Sequence, residues 1–200
     1  MKLVIPKGHF EAYLFDCDGT IADSMPVHLK AWQEVLALHN CPFSEADHDN
    51  LAGMTSEHII DILNKKYGLK MDPKKIGKEK ELRYLAHINE IEGVPAIIEL
   101  IKGMYGKIPM CVVSGGGGEA VRKTLTHLQL MKYFDQIVTS DDYDRPKPAP
   151  DPFLAAAKSL KVPPSACLVF EDAKLGIQSA ESAGMQWVLV PTQAQFRNIG

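Results

Sequence analysis

The sequence predicts a doubly wound, Rossmann-like α/β fold carrying a small, inserted all-helical segment. Three observations predict it. From residue 93 onward, short apolar runs alternate with amphipathic helical stretches, the pattern of βαβ units and a mostly parallel sheet. A similar apolar run stands alone near the N-terminus, at 12–16. Between the two, residues 24–92 carry helical periodicity and no strand signal. The chain has 200 residues, 46% hydrophobic and 24% charged, enough for one sizeable core plus a subdomain. The expected division is a core of 1–23 and 93–200 and a helical insert of 24–92.

Each element has its own justification. The run Tyr13-Leu14-Phe15 reads as a short buried strand. From Pro26, apolar residues Val27, Ala31, Trp32, Val35 and Leu38 recur at three- and four-residue steps, and Asn40-Cys41-Pro42 ends that helix. Ile59, Ile60, Ile62 and Leu63 mark a second helix, with Thr55 or Ser56 as N-cap and Gly68 as its end. A third spans 73–89. After Gly93, a helix over 95–104 has Pro95 in its first turn. The strand 109–113 ends at Ser114, and Gly115 to Gly118 lead into a helix over 119–128. Then come a strand at 136–139, a proline-rich loop over 141–150 holding Lys147, and a helix over 151–160. The strand 166–170 ends at Glu171-Asp172, the helix 173–183 stops at Gly184, and 187–190 is the last strand.

Composition excludes several classes. A net charge of −3 argues against a polyanion partner. The lysines between Lys65 and Lys80 are interleaved with Asp72 and Glu79 and read as a solvated helical face, so no nucleic-acid partner is expected. No apolar run approaches the roughly 18 residues that span a bilayer. The N-terminus offers Lys2 and Lys7 but no long apolar stretch after them. Cys17, Cys41, Cys111 and Cys167 lack CxxC spacing and read as small buried hydrophobes. A cytoplasmic protein without membrane partners is expected.

The chemistry gathers where strands end. Asp16 and Asp18 lie one residue apart at the end of the first strand, so they share a side while Cys17 points away. Two close anions are costly unless a cation or proton lies between them. A polar turn alone would also explain an Asp-x-Asp-Gly. In parallel sheets, however, ligands bind beyond the carboxyl ends of the strands. Ser114, Lys147 and the pair Glu171-Asp172 reach that same edge. Asp16, Asp18, Glu171 and Asp172 form a hard oxygen cluster suited to Mg²⁺. Thr20, Ser114, Lys147 and the backbone N–H groups of Gly19, Gly115 and Gly116 are the donors a phosphoryl group needs. A carboxylate can serve as nucleophile toward phosphorus, and a second can act as acid and base.

The four blocks Asp16-Cys-Asp18-Gly19-Thr20, Ser114, Lys147 in "RPKPAP" and Glu171-Asp172-Ala-Lys-Leu-Gly176 resemble, in order and spacing, the four motifs of the haloacid dehalogenase superfamily of phosphohydrolases. The helical insert resembles that family's small cap. "HLKAW" (28–32), "KPAPDPFLAAA" (147–157) and "EDAKLGIQSAESAGM" (171–185) are most similar to the β-phosphoglucomutase-like group, and within it to bacterial fructose-1-phosphatases. The resemblance implies that Asp16 takes the phosphoryl group and that Asp18 protonates the leaving alkoxide and then activates water. It implies Asp16, the Asp18 carbonyl and Asp172 as Mg²⁺ ligands, with Glu171 direct or through water. Thr20, Ser114, Lys147 and the amides of Gly115 and Gly116 would hold the phosphoryl group, and Lys147 would keep Asp16 ionised.

The family's mutases grip a second phosphate with cap lysine and arginine residues. Here Ala52 and Ser56 stand in those places, and no lysine falls near Ala86. The first motif also ends in Thr20, as in the phosphatases, where the mutases have valine. Hydrolysis of a small sugar monophosphate is therefore expected, with a phosphosugar mutase as the alternative. His28 is expected to face the site from the first cap helix, Trp32 belongs to the cap core, and His58 and His87 carry no role. Four consecutive glycines without Gly-x-Gly-x-x-Gly make a dinucleotide loop a poor fit. Gly176 and Gly184 suit close packing and helix termination. A monomer is expected.

Overall fold

In a computed structural model, the described residues are 3–52 and 54–191. Lys2, Gly53 and 192–200 of the expected core lie outside them. The run Ala12–Phe15 forms β1, and every side chain in it is buried. A strand covered on both faces belongs in a parallel sheet flanked by helices. The chain continues through β2 (Ala22–Asp23), α1 (Met25–Ala37), α2 (Glu45–Leu51), α3 (Ser56–Tyr67), α4 (Pro73–Ala86), β3 (Glu92–Gly93) and α5 (Pro95–Met104). It ends through β4 (Met110–Val113), α6 (Gly118–His127), β5 (Gln136–Val138), α7 (Asp151–Leu160), β6 (Cys167–Glu171), α8 (Lys174–Ser182) and β7 (Gln186–Leu189).

Five strands form one parallel sheet in the order β5-β4-β1-β6-β7. The doubly wound expectation holds. Side chains alternate between the faces. Tyr13 and Phe15 pack with Phe170 and with Ile97 and Ile101 of α5. Ala12 and Leu14 face Phe153 and Ala156 of α7 and Ala180 of α8. Strand order reverses at β1, which has β4 on one side and β6 on the other. That reversal opens the crevice where such sheets bind ligands.

The helices between β2 and β3 enclose their own apolar cluster, including Trp32, Leu36, Phe43, Ile60, Leu63 and Ile76. Thr55 caps α3, accepting from the His58 N–H, and Gly68 ends it in the left-handed region. Three features differ from the sequence reading. The chain enters and leaves the insert through a two-residue antiparallel pair, Ala22↔Gly93 and Asp23↔Glu92. Two residues are too few for any periodicity. The helix α2 was also not expected, because Glu-Ala-Asp-His-Asp-Asn-Leu has no apolar period. Reciprocal hydrogen bonds between Ser44 and Asp47 cap it, and His48 is its one buried residue. The third insert helix ends at Ala86, and Ile88–Glu90 is a 3₁₀ turn. All four cysteines are free and buried. Among the described residues, no helix is long and apolar enough to cross a membrane.

Candidate active site

The end of β1 fixes the first part of the site. The Asp16 N–H still bonds to the Phe170 carbonyl, and the chain then turns through Ile21 and Ala22 amides bonded to the Cys17 carbonyl. Gly19 sits in this turn at φ +91, and a Cβ there would land on the Asp172 carboxylate. Conformation and space both require glycine. Cys17 points into the sheet core, as its alternation predicts.

Asp16 is buried, and its Oδ1 accepts from Lys147 Nζ at 2.7 Å. The same ammonium donates to Glu171 Oε1 at 2.7 Å. Glu171 Oε2 accepts from the Ala173 N–H at 2.7 Å and so satisfies the start of α8. Gly176 makes room for this arrangement, since a Cβ there would overlap the Glu171 side chain. Asp172 Oδ1 accepts from the Thr20 hydroxyl at 3.0 Å.

Oxygens of Asp16, Glu171 and Asp172 lie within 4.8 Å of one another. Burial pushes the Asp16 carboxyl up, and the carboxylates of Glu171, Asp172 and Asp18 push it further against the pull of Lys147. Asp172 is pushed up to about 7, by burial and then by Glu171. Burial pulls Lys147 down, but Asp16 and Glu171 raise it overall and keep it charged. Three carboxylates thus face a single ammonium. The deficit of positive charge and the all-oxygen donor set fit a hard divalent cation such as Mg²⁺.

Asp18 faces the other way, toward the insert. Its Oδ1 accepts from Ser24 Oγ at 2.6 Å and lies 3.0 Å from His28 Nε2. Its Oδ2 lies 3.4 Å from Ser114 Oγ. Burial pushes Asp18 up, yet His28, Ser24 and Lys80 together hold it well below the usual carboxylate range. Lys80 Nζ donates to His28 Nδ1 at 2.6 Å. An ammonium can only donate, so Nδ1 accepts and Nε2 carries the proton toward Asp18. The Tyr84 ring stacks on His28 at 4.2 Å, and its hydroxyl meets Thr124 Oγ1 of α6 at 2.8 Å.

A cavity of about 120 Å³ lies between this sheet edge and the insert. Asp16, Asp18, Lys147 and Asp172 of the sheet edge line it, and so do Trp32 and Phe43 of the insert. A second cavity of about 530 Å³ opens beside it along α4 and Gly115–Gly117 and shares Asp18, His28 and Lys80.

Of the residues singled out in the sequence, Asp16, Lys147, Glu171 and Asp172 come together, and Asp18, His28 and Ser114 meet beside them. Gly115 and Gly116 line both cavities. The Thr20 hydroxyl donates to Asp172, and Glu171, beside Asp16 and Asp172 in the oxygen cluster, also accepts from Lys147 and from the Ala173 N–H. One residue differs from expectation. Lys80, read as part of a solvated face, is buried and bonded to His28. It supplies a cap ammonium where none was expected near Ala86. Its signal was present: Ile76, Lys80 and Tyr84, at four-residue steps, are the buried residues of α4. Ser24, Tyr84 and His48 were likewise missed, being single polar residues in helical stretches.

The haloacid dehalogenase-like hydrolase model matches residues 13–190. The chain is 36% identical to fructose-1-phosphate phosphatase YqaB of Escherichia coli (strain K12) over 180 residues, covering 90% of this chain and 95% of that one. It is 31% identical to a phosphorylated carbohydrates phosphatase of Thermotoga maritima, covering 88% and 82%. The crystal structure of β-phosphoglucomutase from Clostridium difficile matches with a TM-score of 0.82 at 28% identity, covering 94% and 87%. With a match over nearly the whole sheet and every one of its four motif blocks, the chain belongs to the haloacid dehalogenase-like hydrolase family.

Proposed function

We propose that the chain is a magnesium-dependent phosphatase that hydrolyses a small sugar monophosphate through an aspartyl-phosphate. One observation carries the reading: the buried Asp16 carboxylate, held by Lys147 beside Asp172, at the floor of a cavity roofed by the helical insert. Asp16, Asp172 and the Asp18 carbonyl would hold Mg²⁺, with Glu171 direct or through water, and the ion would neutralise phosphoryl charge.

An Asp16 oxygen attacks phosphorus, and the P–O bond to the sugar breaks. Asp18 gives its proton to the departing alkoxide. The approach of a phosphate dianion favours the protonated form of Asp18 for this step. Asp18 then takes a proton from water, whose oxygen attacks the aspartyl-phosphate and frees inorganic phosphate and Asp16. Lys147, Ser114 and the Gly115 and Gly116 amides stabilise the moving charge. Thr20 positions Asp172. The insert, residues 24–92, acts as a cap that excludes water.

Relatives named for fructose-1-phosphate and phosphorylated carbohydrates support a sugar monophosphate. The mutase alternative is disfavoured by Ala52 and Ser56 on the cavity wall, neither of which can charge-pair with a second phosphate. Lys80 is turned to His28. We place the enzyme in the cytoplasm as a monomer.

The test is initial-rate phosphate release from fructose-1-phosphate, β-glucose-1-phosphate, 6-phosphogluconate and a mononucleotide, with Mg²⁺ or chelator. Asp16→Asn should abolish turnover, since an amide is a poor nucleophile. Absence of Mg²⁺-dependent release from every sugar phosphate would sink the proposal. Isomerisation of β-glucose-1-phosphate faster than its hydrolysis would establish the mutase.

A further inference from the structure

We propose that His48 is a specificity-determining residue, its Nε2 accepting a hydrogen bond from a sugar hydroxyl remote from the phosphate ester. The inference rests on the sugar-phosphatase reading and deepens it. His48 lies on α2 and is only 7% exposed. It lines the cavity of about 120 Å³, as do Trp32, Phe43, Leu51 and Met54 of the insert.

Its Nδ1 lies 3.7 Å from Asp49 Oδ1, too long for a hydrogen bond. The carboxylate's field nonetheless favours the proton on that nitrogen. The lone pair is then on Nε2, for which no protein partner exists among the described residues. Burial, aided by His28 and Lys80, pushes the His48 pKa down to about 4, so the ring is neutral near pH 7. Nε2 is not among the buried side-chain atoms left without a partner, so it is open to the cavity that His48 lines, where a ligand hydroxyl can donate to it.

Charge explains what kind of ligand fits. Of the cavity's two ammonium groups, Lys147 sits at the sheet edge, and Lys80 lies between His28 and the Trp32 ring, 5.5 Å from the ring centroid. Lys147 is paired with Asp16 and Glu171, and Lys80 is bonded to His28. Beyond His28 and Lys80, the insert's wall offers aromatic and aliphatic surface with two neutral polar side chains, His48 and Ser56. Such a wall suits a neutral hydroxylated carbon chain, with apolar faces against its C–H groups.

The experiment compares wild type, His48→Phe and His48→Gln on fructose-1-phosphate and on p-nitrophenyl phosphate, which has the same phosphate and no sugar hydroxyl. Phenylalanine keeps a ring but has no acceptor, while glutamine offers a carbonyl oxygen near the Nε2 position. On fructose-1-phosphate, His48→Phe should lose about tenfold in kcat/KM, chiefly through KM, the size expected for one neutral hydrogen bond. Turnover of p-nitrophenyl phosphate should stay within about twofold, and His48→Gln should recover most of the loss. Equal losses on both substrates, no loss on the sugar phosphate, or glutamine no better than phenylalanine would overturn the inference. Calorimetric titration of fructose-1-phosphate into Asp16→Asn chains, with and without His48→Phe, separates this from failure of the activity itself. Weaker binding in the double variant supports His48 even if no substrate turns over. Equal affinity, or binding to neither, refutes it.

Discussion

Replacing Gly176 by alanine puts the anchoring of Lys147 to a direct test. Gly176 lies in the first turn of α8, and the place a Cβ would take is filled by Glu171 Oε1, Cδ and Cγ. That side chain cannot swing aside freely. It is 1% exposed, and its two oxygens hold Lys147 and the Ala173 N–H, each at 2.7 Å. The methyl group must therefore expel Glu171 from both bonds. Breaking a buried ion pair from one side costs about 3–5 kcal/mol. Losing a carboxylate at a helix start costs about 0.5–2 kcal/mol, and the gain in helix propensity returns about 1 kcal/mol. The net loss should be about 3–5 kcal/mol, or roughly 10 °C in Tm for a chain of this size. Gly103, in α5, is the control: a Cβ there meets nothing within 4 Å. Gly103→Ala should stabilise by about 0.4–1 kcal/mol. Urea unfolding followed by circular dichroism measures all three proteins. A Gly176→Ala chain within about 1 kcal/mol of wild type would mean that Glu171 moves without cost, and its role in holding Lys147 would have to be abandoned.

Three further outcomes are expected. Lys80→Met frees His28 Nδ1 and with it the tautomer that points Nε2–H at Asp18, so kcat should fall by about 10–100-fold, the loss of one charge-assisted bond. An unchanged kcat would show that Lys80 does not set that tautomer. The folded chain should lose stability as pH falls from about 6.5 toward 4, because His48, held down to about 4 by burial, takes up its proton later than in the unfolded state. His48→Gln should have a shallower slope across that window, measured by thermal unfolding at each pH, and an identical slope would count against a neutral buried His48. Asp172→Asn should raise the Mg²⁺ concentration for half-maximal rate by at least about tenfold, and an unchanged Mg²⁺ titration would remove Asp172 from the ligand set.

The sheet was legible because its strands are buried on both faces. A run such as Cys167–Glu171, buried throughout, has few readings other than an interior parallel strand. Asp16, Lys147, Glu171 and Asp172 were legible for a related reason, since a polar residue just beyond such a run must lie at the sheet edge. The roles within that edge were not. Whether the Thr20 hydroxyl meets phosphate or Asp172 depends on the turn around Gly19, which spacing does not reveal. In the insert, the signal fails in another way. The helix α2 is polar along its length and is specified by its capping residues, Ser44 and Asp47. Lys80 occupies a position where periodicity asks for an apolar residue, and burying its ammonium makes sense only once His28, fifty-two positions away, is seen to accept from it.

The two halves of the site have different dependence on the insert. Lys147, Asp16, Glu171 and Asp172 all come from the sheet and its following loops, and their ion pairs close within it. Asp18 does not share that independence. The groups that hold it below the usual range are Ser24 and His28, at the start of the insert, and Lys80 on α4. The Tyr84 ring fixes His28 from the same helix, and its hydroxyl reaches Thr124 across to α6. The links between the insert and the sheet include the β2–β3 pair and a small apolar cluster in which Val27, Tyr84 and Ile91 meet Ala120. Withdrawing α4 from the sheet edge would remove Lys80, whose charge helps hold the Asp18 carboxyl down, and admit water, which releases the upward push of burial, so both settings of that carboxyl would be lost. The group proposed for proton transfer is thus set by the placement of the insert, whereas the proposed nucleophile Asp16 and its ammonium are not. A chain with the insert displaced would keep its phosphate end intact and lose control of the proton.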